Sequence, residues 1–200
     1  MQNIPEKLIK IVLIGESNTG KSEIIKKYLK LEHISKPSIF DAYRIRYNND
    51  KYVDYNIYLN ICDTSGNEEV ERLIQMSYLD ADIFILCIEC INLKDNVYYQ
   101  RMINDLKKSG KPILLAVTKV DKAKDKTKGG EYKITSNLDV VKENGKEIVK
   151  RHKLTSFVLV SVKRKKSINA LFDEAVKIYF EGEEAETVQT GCFGCCGGYC

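Results

Sequence analysis

The chain has 200 residues, 44% of them hydrophobic, which suits one ordinary domain with a full core. Its 32 basic and 28 acidic residues leave a net charge of +4, too balanced to argue for nucleic acid, and no stripe of basic and aromatic residues appears. There is no apolar run long enough to span a membrane, and the opening "MQNIPEKLIK" lacks the apolar stretch of a signal peptide, so the chain is expected in the cytosol.

In chain order, Leu8, Ile9, Ile11, Val12, Leu13 and Ile14 form a short apolar run that predicts a strand buried on both faces. "GESNTGKS" at 15–22 follows at once, and Ile24, Ile25, Tyr28 and Leu29 then recur at helical spacing. A glycine-rich octet delivered by a buried strand and opening a helix is more than a surface turn. Its backbone N–H groups, from Ser17, Asn18, Thr19 and Gly20, can wrap phosphate oxygens. Lys21 can meet the terminal phosphates, and the Ser22 hydroxyl can ligate magnesium.

"YRIRYNNDKYVDYNIYLNICD" alternates, with Val53, Tyr55, Ile57, Leu59 and Ile61 on one side and Asp54, Asn56 and Asn60 on the other, and predicts a hairpin turning at Asn48, Asn49 and Asp50. "DIFILCIE", "PILLAVT" and "SFVLVS" are three further apolar runs, each separated from the next by room for a helix. The fold class is therefore α/β: a single phosphate-loop domain with a mostly parallel six-stranded sheet and helices on both faces. Ile168, Leu171, Phe172, Ala175 and Tyr179 mark an amphipathic last helix whose apolar side is core. Beyond Phe180 the acidic, then glycine- and cysteine-rich residues 181–200 predict a flexible tail.

Further chemistry sits at strand ends. Asp63, closing the alternating strand in "ICDTSGNEE", can hold magnesium through water, and the Gly66 N–H can meet a γ-phosphate. In "AVTKVD", Lys119 and Asp121 follow a buried strand, where a carboxylate can accept hydrogen bonds from the N1 and exocyclic amino group of guanine, which adenine cannot offer in that arrangement. Ser161 and Val162 end the last strand, where a backbone N–H can reach the guanine O6. Taken singly, either aspartate could be a turn or capping residue. Ser38 could equally be a capping hydroxyl.

Together, "GESNTGKS", "KPSIFDAY", "DTSG", "TKVD" and "SVK" resemble the Ras superfamily of small GTPases over about residues 6–180, and within it the Rho family. Thr118 before Lys-x-Asp, the "PSIFDAY" switch and the extra length of "KAKDKTKGGEYKITSN" carry the Rho likeness, with a Rho-type insert expected near 122–137. The resemblance implies a domain over 1–180 that binds GTP and GDP with magnesium and hydrolyses GTP to control effector proteins in signalling or cytoskeletal regulation. Exchange factors and GTPase-activating proteins are the implied regulators. Ser38 then completes the magnesium ligands with Ser22 and Asp63, Thr118 and Lys163 join the nucleotide site, and Lys21, Gly66 and Asn67 form the catalytic group.

Asn67 stands where that family carries a water-orienting glutamine, so slow turnover is expected, and an essentially non-hydrolysing GTP-bound adaptor is the second reading. A Rab-like trafficking GTPase is a third, and "TKVD" disfavours an ATP-using kinase. Ser17 replaces a usual glycine, and no aromatic residue lies between Leu29 and Pro37 to cover the base. Cys62, Cys87 and Cys90 fall in strand-like segments, while four cysteines crowd the end. "CFGCCGGYC" could hold zinc by its C-x-x-C spacing, but in a tail without a structured hairpin it reads as a lipidation cluster: Cys195 and Cys196 foremost, with Cys192 and Cys200 beside them. Attachment to the cytosolic face of a membrane is the corresponding expectation.

Overall fold

The structure, a computed structural model, describes residues 4–32, 40–66, 78–93, 97–124 and 138–191. Ser38, Asn67, Cys192, Cys195, Cys196, Cys200 and most of the expected insert lie outside the described residues. Six strands, β1 (Glu6–Ile14), β2 (Phe40–Tyr47), β3 (Asn56–Thr64), β4 (Ile83–Glu89), β5 (Ile113–Thr118) and β6 (Ser156–Leu159), alternate with helices α1 (Lys21–Leu29), α2 (Val97–Lys107), α3 (Leu138–His152) and α4 (Lys165–Gly191). The sheet order is β2-β3-β1-β4-β5-β6, parallel except for the β2–β3 hairpin. The α/β class and the six-stranded sheet are as the sequence predicts.

Alternation along the buried strands splits the core into two layers. Ile9, Ile11 and Leu13 of β1 and Ile85 and Cys87 of β4 face α1 and α4, where Ile24, Ile25, Leu171 and Phe172 meet them. Val12 and Ile14, with Phe84 and Leu86, face α2 and α3 through Met102, Ile103, Leu106, Val141 and Ile148. Such two-sided burial contributes roughly 1.5–3 kcal/mol per large apolar side chain. It also explains why β4 and β5 are apolar throughout. After β1 the chain runs to the edge strand β2, returns inward as β3 beside β1, and then crosses to β4 on the other side, so a crevice opens at the carboxyl end of β1.

Three sequence expectations are corrected. Leu8 is 50% exposed, because only the inner half of β1 is covered on both faces. Val53 and Tyr55 leave the strand pattern, since the hairpin connection runs from 48 to 55 and holds a 3₁₀ turn, Asp50–Tyr52, whose start is capped by the Asn49 side chain accepting from Lys51 N–H at 3.0 Å. The last helix does not stop at Phe180 but continues to Gly191. Glu183, Glu184 and Ala185 favour helix, and Phe180 stacks on Tyr52 at 4.5 Å while Lys7 pairs with Glu183 at 2.5 Å, docking the extension on the hairpin and β1.

Candidate nucleotide site

Gly15 leaves β1 with φ +146°, and a Cβ there would lie 2.3 Å from the Cys87 carbonyl oxygen, so the chain can cross β4 at this point only without a side chain. Residues 15–20 then curl back, Gly20 caps α1, and the first helical residue is Lys21. Lys21 is buried, and its ammonium donates to the carbonyls of Gly15 at 2.6 Å and Glu16 at 2.9 Å. Burial pulls its pKa down, although Cys87, Asp63 and Glu16 favour the charged form. A buried cation whose hydrogen bonds among the described residues go to loop carbonyls is suited to an anion.

β3 brings Asp63 beside it. The residue is fully buried, and among the described residues neither carboxylate oxygen has a partner at hydrogen-bond geometry. Burial pushes its pKa up, while the nearby Ser22 hydroxyl and the Lys21 ammonium partly offset this. An orphaned buried carboxylate next to a serine hydroxyl fits a divalent cation, whose oxygen ligands are of this kind. The Thr64 hydroxyl donates to Leu13 O at 2.7 Å and fixes the end of β3 against β1. Gly66 then lies directly on the phosphate loop: a Cβ there would stand 2.3 Å from Ser17 N and 2.5 Å from the Glu16 carbonyl carbon. A cavity of about 550 Å³ runs from Ser17 and Lys21 past Thr64 and Gly66 to Lys119.

Lys119, at the far end of the cavity, follows β5, and beyond it lie the turns after β5 and β6. Asp121 sits on a 3₁₀ turn, Val120–Lys124, and its carboxylate accepts from the Ser161 hydroxyl at 2.7 Å and pairs with the Lys163 ammonium at 2.8 Å. Those two donors, Lys163 first, hold the Asp121 pKa down to about 2. The Ser161 N–H is already used on Ser167 Oγ at 3.1 Å. Of the two strand-end N–H groups expected to face a base, Val162 is therefore the remaining candidate. Thr118 is also placed differently from a direct ligand: buried, its hydroxyl donates to Thr19 O at 2.6 Å, joining the end of β5 to the phosphate loop.

The structure thus brings Ser17, Asn18, Thr19, Gly20, Lys21, Ser22, Asp63, Gly66, Thr118, Lys119, Asp121, Ser161, Val162 and Lys163 to one edge of the sheet. Sequence reasoning missed Glu89, which ends β4 and pairs with Lys119 and Lys122, and Ser167, which anchors the β6 end. A charged residue closing the wholly apolar run "IFILCI" is the signal by which Glu89 could have been found.

A phosphate loop on β1, a lone carboxylate on β3 and a carboxylate turn after β5 define a phosphate-loop nucleotide-binding domain. The Ras family model matches residues 10–181, and the chain belongs to the Ras family. It is similar to the Rho-related protein racL of Dictyostelium discoideum, 29% identical over 178 residues that span 86% of this chain and 89% of the relative. It is also similar to the Ras-like GTP-binding protein RHO1 of Entamoeba histolytica, 26% identical over 89% of this chain and 79% of the relative. The human Rho-related GTP-binding protein RhoD is 24% identical over 85% of this chain and 82% of its own length.

Proposed function

We propose that the chain is a Rho-type guanine-nucleotide switch that binds GTP and GDP with magnesium and hydrolyses GTP slowly. The observation that carries this reading is the fully buried Asp63 carboxylate, which has no hydrogen-bond partner among the described residues and lies beside Ser22 and the buried Lys21. Such a group is explained by a cation and a phosphate that share the cleft. Lys21 and the N–H groups of Ser17–Gly20 would hold the phosphates. Ser22 and Ser38 would ligate magnesium directly and Asp63 through water, and the ion supplies charge neutralisation for phosphoryl transfer. Asp121 would read guanine, with Lys119 and Lys163 beside the base and the Val162 N–H at its O6.

Gly66, resting on Ser17, would meet a γ-phosphate, so effectors would distinguish the two nucleotide states there and around Ser38. Catalysis would rest on Lys21, Gly66 and the water-positioning residue Asn67. The asparagine stem is one methylene shorter than glutamine, and misplacement on the order of 1 Å can cost about a hundredfold in rate. This supports, as a second reading, a GTP-bound adaptor that scarcely turns over. Membrane attachment would come from lipid on Cys195 and Cys196 with Cys192 or Cys200, since one chain holds only marginally. Among the described residues no helix is long and apolar enough to cross a membrane.

The test is the nucleotide recovered from protein purified in magnesium buffer, followed by single-turnover hydrolysis and a competition of GTP against ATP. Bound guanine nucleotide displaced by GTP but not ATP is the expected result. Displacement by ATP at equal concentration would overturn the assignment, and recovered GTP with no turnover would select the adaptor reading.

A further inference from the structure

Glu89 is the last residue of β4, paired in register with Thr118 at the end of β5, and its side chain is 12% exposed. Both carboxylate oxygens are engaged: Oε1 by the Lys122 ammonium at 2.7 Å and Oε2 by the Lys119 ammonium at 3.1 Å. Burial alone would push this carboxyl up, but the hydrogen bonds from Lys122 and Lys119 outweigh it and keep the group below the ordinary carboxylate range. The pairing follows from the turn. Lys122 N–H donates to Lys119 O at 2.9 Å, and residues three apart eclipse in a 3₁₀ turn, so both lysines fall on one side. Asp121 points to the other side, onto Ser161 and Lys163. The next residue of β4's exit, Cys90, adds a thiol donated to Lys119 O at 3.2 Å. Lys119 itself has φ 55°, a conformation a lysine holds only when its surroundings impose it.

We propose that Glu89 is a positioning residue for base selection, clamping the 119–122 turn through Lys119 and Lys122 so that Asp121 presents a fixed carboxylate to the base. The inference rests on the reading of Asp121 as the guanine acceptor. Glu89 touches no nucleotide in this scheme. Its effect is angular: with the clamp on one side and Ser161 on the other, Asp121 has one orientation, and two convergent donors on a purine are recognised only by an acceptor held in place. A purine lacking the exocyclic amino group offers one donor instead of two, so it gains nothing from that precision.

The experiment compares displacement of a fluorescent GDP by unlabelled GDP and by inosine diphosphate, in the full chain and in Glu89→Gln, with Lys122→Met as a second variant at a 51% exposed side chain that folding tolerates. Glutamine keeps the shape and accepts from one lysine only. The parent chain is expected to prefer GDP, and Glu89→Gln to lose at least about threefold of that preference, since discrimination by a hydrogen-bonding acceptor depends on its placement. Lys122→Met should lose a smaller part. A parent with no preference for GDP would refute the base-reading assignment itself. A parent preference that both variants keep within about twofold, whatever their melting temperatures, would overturn the role of Glu89 alone.

Discussion

Replacing Thr118 by valine tests whether the phosphate and base halves of the cleft are physically joined. Valine has nearly the same shape, so packing at this buried position is kept, while the hydroxyl that donates to Thr19 O at 2.6 Å is removed. Its second contact, Ile88 O at 3.4 Å, is long and adds little. Withdrawing a donor from a buried carbonyl costs about 1–3 kcal/mol. For a domain of this size each kcal/mol lowers the melting temperature by about 2–4 °C, which predicts a fall of roughly 2–12 °C in thermal unfolding with GDP and magnesium present. If about 1.4 kcal/mol of the loss is felt in the bound state, release of a fluorescent GDP quickens about tenfold. Thr118→Ser, which keeps the hydroxyl, should restore most of the release rate. A valine variant that melts lower but releases GDP at the parent rate would show that the bond is structural only and refute the coupling.

Asp121→Asn should weaken GTP and favour xanthosine triphosphate, and unchanged GTP affinity would remove Asp121 from base recognition. With its pKa held at about 2, below the ordinary value, the Asp121 carboxylate contributes its interaction above about pH 4 and loses it only as pH falls toward 2; guanine preference measured from pH 8 to 5 should therefore be flat, and a decline in that window would assign recognition to another group. Gly66→Ala should force its loop off the phosphate loop, because the new methyl would meet backbone atoms at 2.3–2.6 Å rather than a side chain able to move. GTP affinity should fall more than GDP affinity, and equal losses would argue against a γ-phosphate contact there. Asn67→Gln should raise single-turnover hydrolysis at least several-fold, and an unchanged rate would mean that another residue positions the water.

The parts of the site legible in the sequence are those that one residue type can announce. Gly15, Lys21 and Asp121 sit at fixed offsets from apolar runs, and the runs place themselves because a strand buried on both faces admits little else. What was not legible depends on partners from elsewhere in the chain. The commitment of the Ser161 N–H to Ser167 arises where α4 turns under the end of β6. The inward turn of the Thr118 hydroxyl needs the phosphate loop folded behind it. The hairpin strands were read too long, because Val53 and Tyr55 continue an alternating pattern that the 3₁₀ turn at Asp50–Tyr52 interrupts. The helix beyond Phe180 was hidden by an acidic composition with no packing stripe; it is held by the ring contact to Tyr52 and the ion pair to Lys7, both remote in sequence.

These connections give the cleft a specific mechanics. The 119–122 turn is anchored by Glu89 and Cys90 where β4 ends and by Ser161 and Lys163 after β6, while Thr118, one residue before the turn, is bonded to the phosphate loop. Lys21, at the other end of that loop, is held by Gly15 and Glu16 carbonyls, and Gly66 leans on Glu16 and Ser17. A displacement of the 119–122 turn therefore reaches Thr19 through a single hydrogen bond, and a displacement of Gly66 reaches the same loop from the opposite side. Packed segments of this kind shift as units rather than bending gradually. Base and phosphates should then loosen together, so that a partner protein acting at either end can release the whole nucleotide by breaking the link at Thr118, without contacting both.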